Sequence, residues 1–338
     1  MTGPADRRGP GMTPDAVDVR PPDVLTVGET LVAFQAEPGP MLTARALTKT
    51  IAGAETNVAI GLSRLGLRVA AVTRVGPDPF GAEVLRTLRA EAVDTRAIAV
   101  DAGRPTGLMV KERPTVDTAN VWYYRAGSAA AALSPNDVDR ALDTLGMPRH
   151  VHVTGITLAL GDAPRAAVTH LLSRARAAGS SVSFDANHRK RLWDADAFLA
   201  ACRPVAEQVD DLLCSDEEAA LLTGRPEPTD ALAELARWGP SRVVVRLGAE
   251  GALGRTADGP VLSVPAVAAG PVVDVVGAGD AYTTGYLAEI LAGSGLSTAL
   301  ATGAWVAGQV VAAVGDWENL PHAAAWAARR SGRATVDR

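Results

Sequence analysis

The sequence predicts an α/β domain built on a mainly parallel sheet with helices on both faces. Three observations carry this expectation. Short β-branched runs alternate with longer amphipathic stretches along most of the chain, and such alternation implies right-handed crossovers between parallel strands. With 47% apolar and 21% charged residues, the 338-residue chain can bury a substantial core. Neither an internal repeat nor a second composition regime divides it, so one large domain with an appendage fits the length.

The first 22 residues are rich in proline, glycine and charge and lack an apolar h-region. They read as a disordered tail rather than a signal peptide, and a cytoplasmic location follows by default. The folded domain then spans 23–331, with a short tail over 332–338. Its candidate strands are Val24–Gly28, Val69–Val75, His150–Thr154, Ser181–Asp185, Asp211–Cys214 and Arg242–Leu247. Between them lie helical patterns at Glu55–Leu65, Ala163–Ala178, Asp194–Gln208 and Thr229–Trp238; the first carries Val58, Leu62 and Leu65 on one face. Two stretches, Thr30–Thr50 and Thr106–Tyr124, have alternating or β-rich patterns with no helix. They are expected to form a small antiparallel sheet, a lid made from segments at about 30–50 and 106–125.

Composition excludes several function classes. Of the 33 basic residues only Lys49, Lys111 and Lys190 are lysines, and none follows the glycine run of a P-loop. Cys202 and Cys214 are the only cysteines, and the five histidines contain no His-Glu-x-x-His pair, so neither a disulfide framework nor a zinc hydrolase is expected. No apolar run approaches the roughly 18 residues of a membrane span. A net charge of −5 without a long basic stretch argues against nucleic acid as a partner.

The most informative segment is Val272–Leu287. A strand-like run ends at Val276, Gly277-Ala278-Gly279 follow, and a helical pattern starts at Asp280. Small residues there let backbone N–H groups face one concavity at a helix N-terminus, a place that favours anions. A carboxylate at Asp280 suits such a place if it deprotonates an acceptor hydroxyl. On these residues alone, an ordinary N-cap aspartate after a glycine turn reads as well. The next glycine is Gly285, too late for a dinucleotide fingerprint.

Gly277–Asp280 resembles the Gly-Ala-Gly-Asp signature of ribokinase-like (PfkB) carbohydrate kinases, with Asp274 at the position of the family's leading aspartate. Gly53-Ala54 with Asn57 is similar to the family's sugar-binding turn, and Gly76-x-Asp78-x-Phe80-Gly81 to its next element. The similarity runs from about Val24 to Pro321. Departures are Ala52 for the first glycine of the sugar turn, Val275-Val276 for two threonines, and Ser215 for the asparagine of Asn-x-x-Glu. The resemblance implies a ribokinase-like three-layer sandwich with a β-sheet lid.

Within the family, three features are similar to those of 2-keto-3-deoxygluconate kinases: Asn120–Arg125 followed by Gly127-Ser128-Ala129, Phe184–Arg189 with Trp193, and Gly53–Ala59. The implied reaction is ATP-dependent phosphorylation of that acid's terminal hydroxyl. Asp280 would be the base, Gly277, Ala278 and Gly279 the anion-stabilising turn, and Gly53 and Asn57 sugar contacts. Tyr123, Arg125 and Arg189 would meet the carboxylate and ketone end; arginine forks suit planar carboxylates. Gly248 and Gly251, in a turn after a valine-rich strand, would border the nucleotide, with the helical stretch Leu296–Val314 forming part of its wall. Mg2+ would be held through water by Glu218 and Asn187, and a monovalent cation such as K+ beside Asp274. Alternatives are a fructokinase or ribokinase acting on a neutral sugar and a catalytically silent sugar-acid sensor. The exposed edge of a lid sheet invites a homodimer.

Overall fold

The structure, a computed structural model, describes residues 20–36, 40–115 and 118–332. Most of the two expected tails therefore lies outside the described residues. Pro22, at the end of the first of them, is buried, and its carbonyl accepts from the Arg149 N–H.

Along the chain, β1 (Val24–Val27) leads to β2 (Leu31–Ala36) and β3 (Leu47–Ala52), and α1 (Ala54–Arg64) returns to β4 (Val69–Val72) and β5 (Arg74–Val75). Next come α2 (Pro79–Ala90), β6 (Ala99–Val100), β7 (Leu108–Thr115), β8 (Thr118–Tyr124) and α3 (Pro135–Leu145). The middle of the chain contributes β9 (His150–Thr154), α4 (Gly155–Ala159), α5 (Asp162–Ala178), β10 (Ser181–Asp185) and α6 (Ala195–Ala206). It continues through β11 (Asp211–Ser215), α7 (Asp216–Thr223), α8 (Pro228–Ala236) and β12 (Arg242–Arg246). The last elements are β13 (Ala252–Thr256), β14 (Leu262–Val264), α9 (Ala278–Leu291), α10 (Leu296–Val310) and α11 (Ala323–Arg330).

The main sheet has the order β14-β13-β12-β11-β10-β9-β1-β4. The strands from β12 to β4 are parallel, and β13 and β14 add an antiparallel edge. Both faces are covered, because successive strand residues feed different clusters. Val243 and Val245 pack with Phe184 and the helices α3, α5, α6 and α8, whereas Val244 packs with α1, α9 and α10. That is the α/β/α sandwich expected from the alternation, and the near-continuous apolar strands are the signature of a sheet buried on both sides.

Several elements differ from expectation. Val69–Val75 is not one strand: Val72 ends the main-sheet pairing, and Arg74–Val75 pairs separately with Ala99–Val100. The Val272–Val276 run is not a strand either. The N–H groups of Val273 and Asp274 bond to the carbonyl of Val311, and Val272 and Val275 are exposed. Asp280 falls inside α9, which begins at Ala278 because Gly277, at φ +78°, is the capping residue. The α10 helix stops at Val310 rather than Val314.

The two lid segments form one sheet of order β3-β2-β7-β8. It is mixed rather than antiparallel, because β2 and β7 run parallel with Val32 opposite Leu108. Only the sequence-adjacent partners, β2 with β3 and β7 with β8, are antiparallel. β2 and β7 lie far apart in sequence and both enter from the main domain, so nothing forces them to run in opposite directions.

Phe184, in β10, has no exposed surface. Phe184→Ala should cost about 3–5 kcal/mol of stability, read as a lower denaturant midpoint at an unchanged slope.

Candidate active site

In an open parallel sheet, ligands gather at the carboxyl ends of the strands. Here that edge carries Glu29 after β1, Thr154 ending β9, Asp185 ending β10, Ser215 ending β11 and Arg246 ending β12. α9 points its N-terminal turn at the same edge. Two cavities meet there and share Arg189, Val276, Gly277 and Asp280.

The larger cavity, about 500 Å³, is lined by Gly248, Gly251, Gly277, Ala278, Gly279 and Glu218, with Ala307 of α10 on its wall. Its volume is typical of a small-molecule site, roughly 300–1,000 Å³. Gly251 is obligatory in its turn: at φ +104°, a Cβ would sit 2.0 Å from the Val264 carbonyl oxygen. Gly277 is equally constrained, since a Cβ there would lie 2.2 Å from the Asp316 carbonyl oxygen. The first turn of a helix leaves N–H groups without intrahelical partners, although the Ala278 N–H donates to the Val275 carbonyl at 3.3 Å. Arg246 braces this turn from behind. Its guanidinium forms a two-point pair with Asp185 and donates to the Gly279 carbonyl at 3.1 Å.

The smaller cavity, about 130 Å³, lies under the small sheet. Gly53, Asn57, Tyr123, Arg125 and Arg189 all line it. Gly53, at φ +152°, lies against the backbone of Glu29, where a Cβ would come within 2.4 Å of the carbonyl oxygen. Tyr123 faces this cavity while Tyr124, one residue on, is exposed to solvent. Arg125 stands over the Tyr123 ring at 5.2 Å and pairs with the buried carboxylate of Glu29, which also accepts from Ser128. The guanidinium read from the sequence as a substrate fork is thus already engaged on one side.

Asp280 sits at the junction and is buried. Asn57 Nδ2 donates to its Oδ2 at 2.7 Å, and Asn187 Nδ2 approaches its Oδ1 at 3.5 Å. Asn187 holds a left-handed backbone, φ +41°, a conformation asparagine tolerates better than most residues. Loss of solvation pushes the Asp280 carboxyl up, while the Arg189 charge and the Asn57 hydrogen bond pull it back. It settles at about 7. A carboxyl poised there can take a proton near neutral pH and release it again.

Two expected cation ligands are otherwise occupied. Glu218 closes a capping box with Ser215 and accepts from the His188 N–H at 2.6 Å. Each of its oxygens retains acceptor capacity for water, which fits a hydrated Mg2+ rather than a dedicated protein cage. Asp274 does not fit a free monovalent cation. The ammonium of Lys111 already lies 3.0 Å from its Oδ2 and 3.3 Å from Asp316 Oδ1. Among the described residues, no cluster of three or more His, Cys, Asp or Glu forms a metal site.

Sequence reasoning missed Lys111, Asp316, Glu29 and the bracing role of Arg246. One signal was available: a lone lysine inside an apolar strand run, Leu108-Met109-Val110-Lys111, in a chain nearly devoid of lysine. Tyr282, whose buried hydroxyl has no partner among the described residues, lines the larger cavity and was also missed.

The model of the pfkB family carbohydrate kinases matches residues 21–323. The chain belongs to this family. This pfkB-family chain is 35% identical to a 2-dehydro-3-deoxygluconokinase of Bacillus subtilis, over 88% of its own length and 92% of the relative's. It is 31% identical to a 2-dehydro-3-deoxygalactonokinase of Haloferax volcanii, over 94% and 99%. Among solved structures, it resembles a PfkB protein of Polaromonas at TM-score 0.80 and 36% identity, covering 91% of this chain and 99% of that one. A putative ribokinase II of E. coli in complex with ATP and Mg2+ matches at TM-score 0.82 and 25% identity, covering 92% and 100%.

The raised Asp280 carboxyl has a stability consequence. Its folded value, about 7, lies above the unfolded value of 3.8, so the folded state loses stability as pH rises through that window. Asp280→Asn removes the penalty. The variant should match the parent near pH 4 and exceed it at pH 8, by on the order of 2–4 kcal/mol, as measured by unfolding at both pH values.

Proposed function

We propose that the chain transfers the terminal phosphoryl group of ATP to the terminal hydroxyl of 2-keto-3-deoxygluconate. The observation that carries this reading is the position of Asp280, a buried carboxyl with a value of about 7, where the glycine-lined cavity meets the smaller polar one. Nucleotide phosphates would occupy the larger cavity against the Gly277-Ala278-Gly279 turn, with Gly248 and Gly251 bordering the base and ribose. The acid would lie under the small sheet.

In this reading Asp280 takes the proton of the acceptor hydroxyl, and Asn57 keeps the carboxylate aimed at it. The N–H groups of the turn stabilise charge on the migrating phosphoryl group, whose transfer needs positioning and electrostatics more than covalent help. Mg2+ bound with the nucleotide would neutralise phosphate charge, its water shell contacting Glu218 and Asn187. Arg125, paired with Glu29, and Arg189 line the acceptor cavity, and arginine forks of this kind suit the carboxylate of an acid. The small sheet would act as a lid that keeps water from ATP. Leu47, Trp122 and Tyr124 leave apolar surface exposed on that sheet, which supports a homodimer formed through it. A cytoplasmic location fits the need for ATP.

Asp280→Asn should lower turnover by about 10²–10⁴ while ATP still binds in calorimetry; a parent that binds the acid but forms no ADP would instead be a sensor. Arg125→Ala should lower kcat/KM for the keto-deoxy acid by ~10–100-fold in a coupled ADP assay and leave a neutral ketose much less affected. An equal loss on both would sink the acid assignment.

A further inference from the structure

Lys111 is an unusual residue for its position. Lys49 and Lys190 are exposed, whereas the Lys111 side chain retains 1% of its surface. An ammonium is withdrawn from water only where carboxylates replace its solvation. Here Asp274 and Asp316 do so, at 3.0 and 3.3 Å.

The two carboxylates come from separate segments, and both segments shape the turn at Gly277. Asp274 Oδ1 accepts the Val276 N–H at 3.1 Å and so folds the approach to the turn. The backbone of Asp316 lies so close behind Gly277 that no side chain fits between them. A positive charge lodged between these carboxylates therefore draws together the two walls of the turn. That charge arrives from elsewhere, on β7 of the small sheet. An ammonium is close to potassium in size and carries the same charge.

We propose that the ammonium of Lys111 is a built-in monovalent cation, which holds the Gly277 turn in its anion-binding shape and makes nucleotide binding independent of any free monovalent cation. Lys111 is then a positioning residue, acting through Asp274 and Asp316 rather than on the phosphates. The inference rests on the phosphate-site reading of the Gly277 turn but not on which acceptor the chain phosphorylates.

The test measures Mg-ATP binding to the full chain by calorimetry in choline, sodium, potassium and ammonium chlorides at equal ionic strength. The parent should bind alike in all four. Lys111→Met should bind at least ~10-fold more weakly in choline and recover affinity in potassium or ammonium, a rescue that a merely structural role would not produce. A folded Lys111→Met that binds like the parent in choline, or stays weak in every salt, overturns the proposal. The parent's own salt response needs no variant to fold. Affinity that rises several-fold with potassium over choline overturns the proposal by itself. A parent that binds no ATP in any salt overturns the phosphate-site reading, and this inference with it, and is distinguishable from a parent that binds but tracks potassium.

Discussion

Keeping a carboxyl out of water at the mouth of a parallel sheet is the constraint on which this structure turns. Asp280 is held there by α9, and three neighbouring side chains offset its desolvation. Asn57 donates to it, Arg189 supplies compensating charge, and Arg246 neutralises Asp185, which would otherwise push Asp280 up further. The result is a group that is neither a permanent anion nor a permanent acid near neutral pH, which is what proton exchange requires.

Three ion pairs surround this centre, and each ties different pieces of chain together. Arg246–Asp185 joins β12 and β10, the strands on either side of β11, to the first turn of α9. Glu29–Arg125 and Lys111–Asp274 both run from the main domain to the small sheet. Buried pairs of this kind add little net stability, because desolvation offsets their attraction, but breaking one leaves an uncompensated charge. Their effect is therefore geometric: they fix how the small sheet sits over the cavity it covers.

Much of the fold was legible in the sequence. His150–Thr154 and Ser181–Asp185 were readable to the residue, because Val151, Val153, Val182 and Phe184 give short strand-like runs between helical patterns. The glycine turn before α9 was legible too, since a left-handed φ of +78° favours glycine and a side chain there would strike the Asp316 backbone. What stayed hidden was long-range pairing. No spacing places Lys111 beside residues more than 160 positions away, or Glu29 beside Arg125. The valine run before Gly277 misled for a related reason: it looks like a strand, yet its N–H groups are claimed by a helix end, Val311, that local pattern does not reveal.

The order of the main sheet also bears on how the chain reaches this state. β1 sits between β4 and β9, and β9 follows only after both segments of the small sheet. During synthesis, β1 and β4 must wait for the chain to extend past residue 150 before their sheet can grow, and the acceptor cavity must wait longer still, for α9. Non-local parallel pairings of this kind fold slowly and leave strand edges open in the interim. The small sheet thus joins segments made early to a site completed late, so that the ability to hold substrate comes near the end of folding.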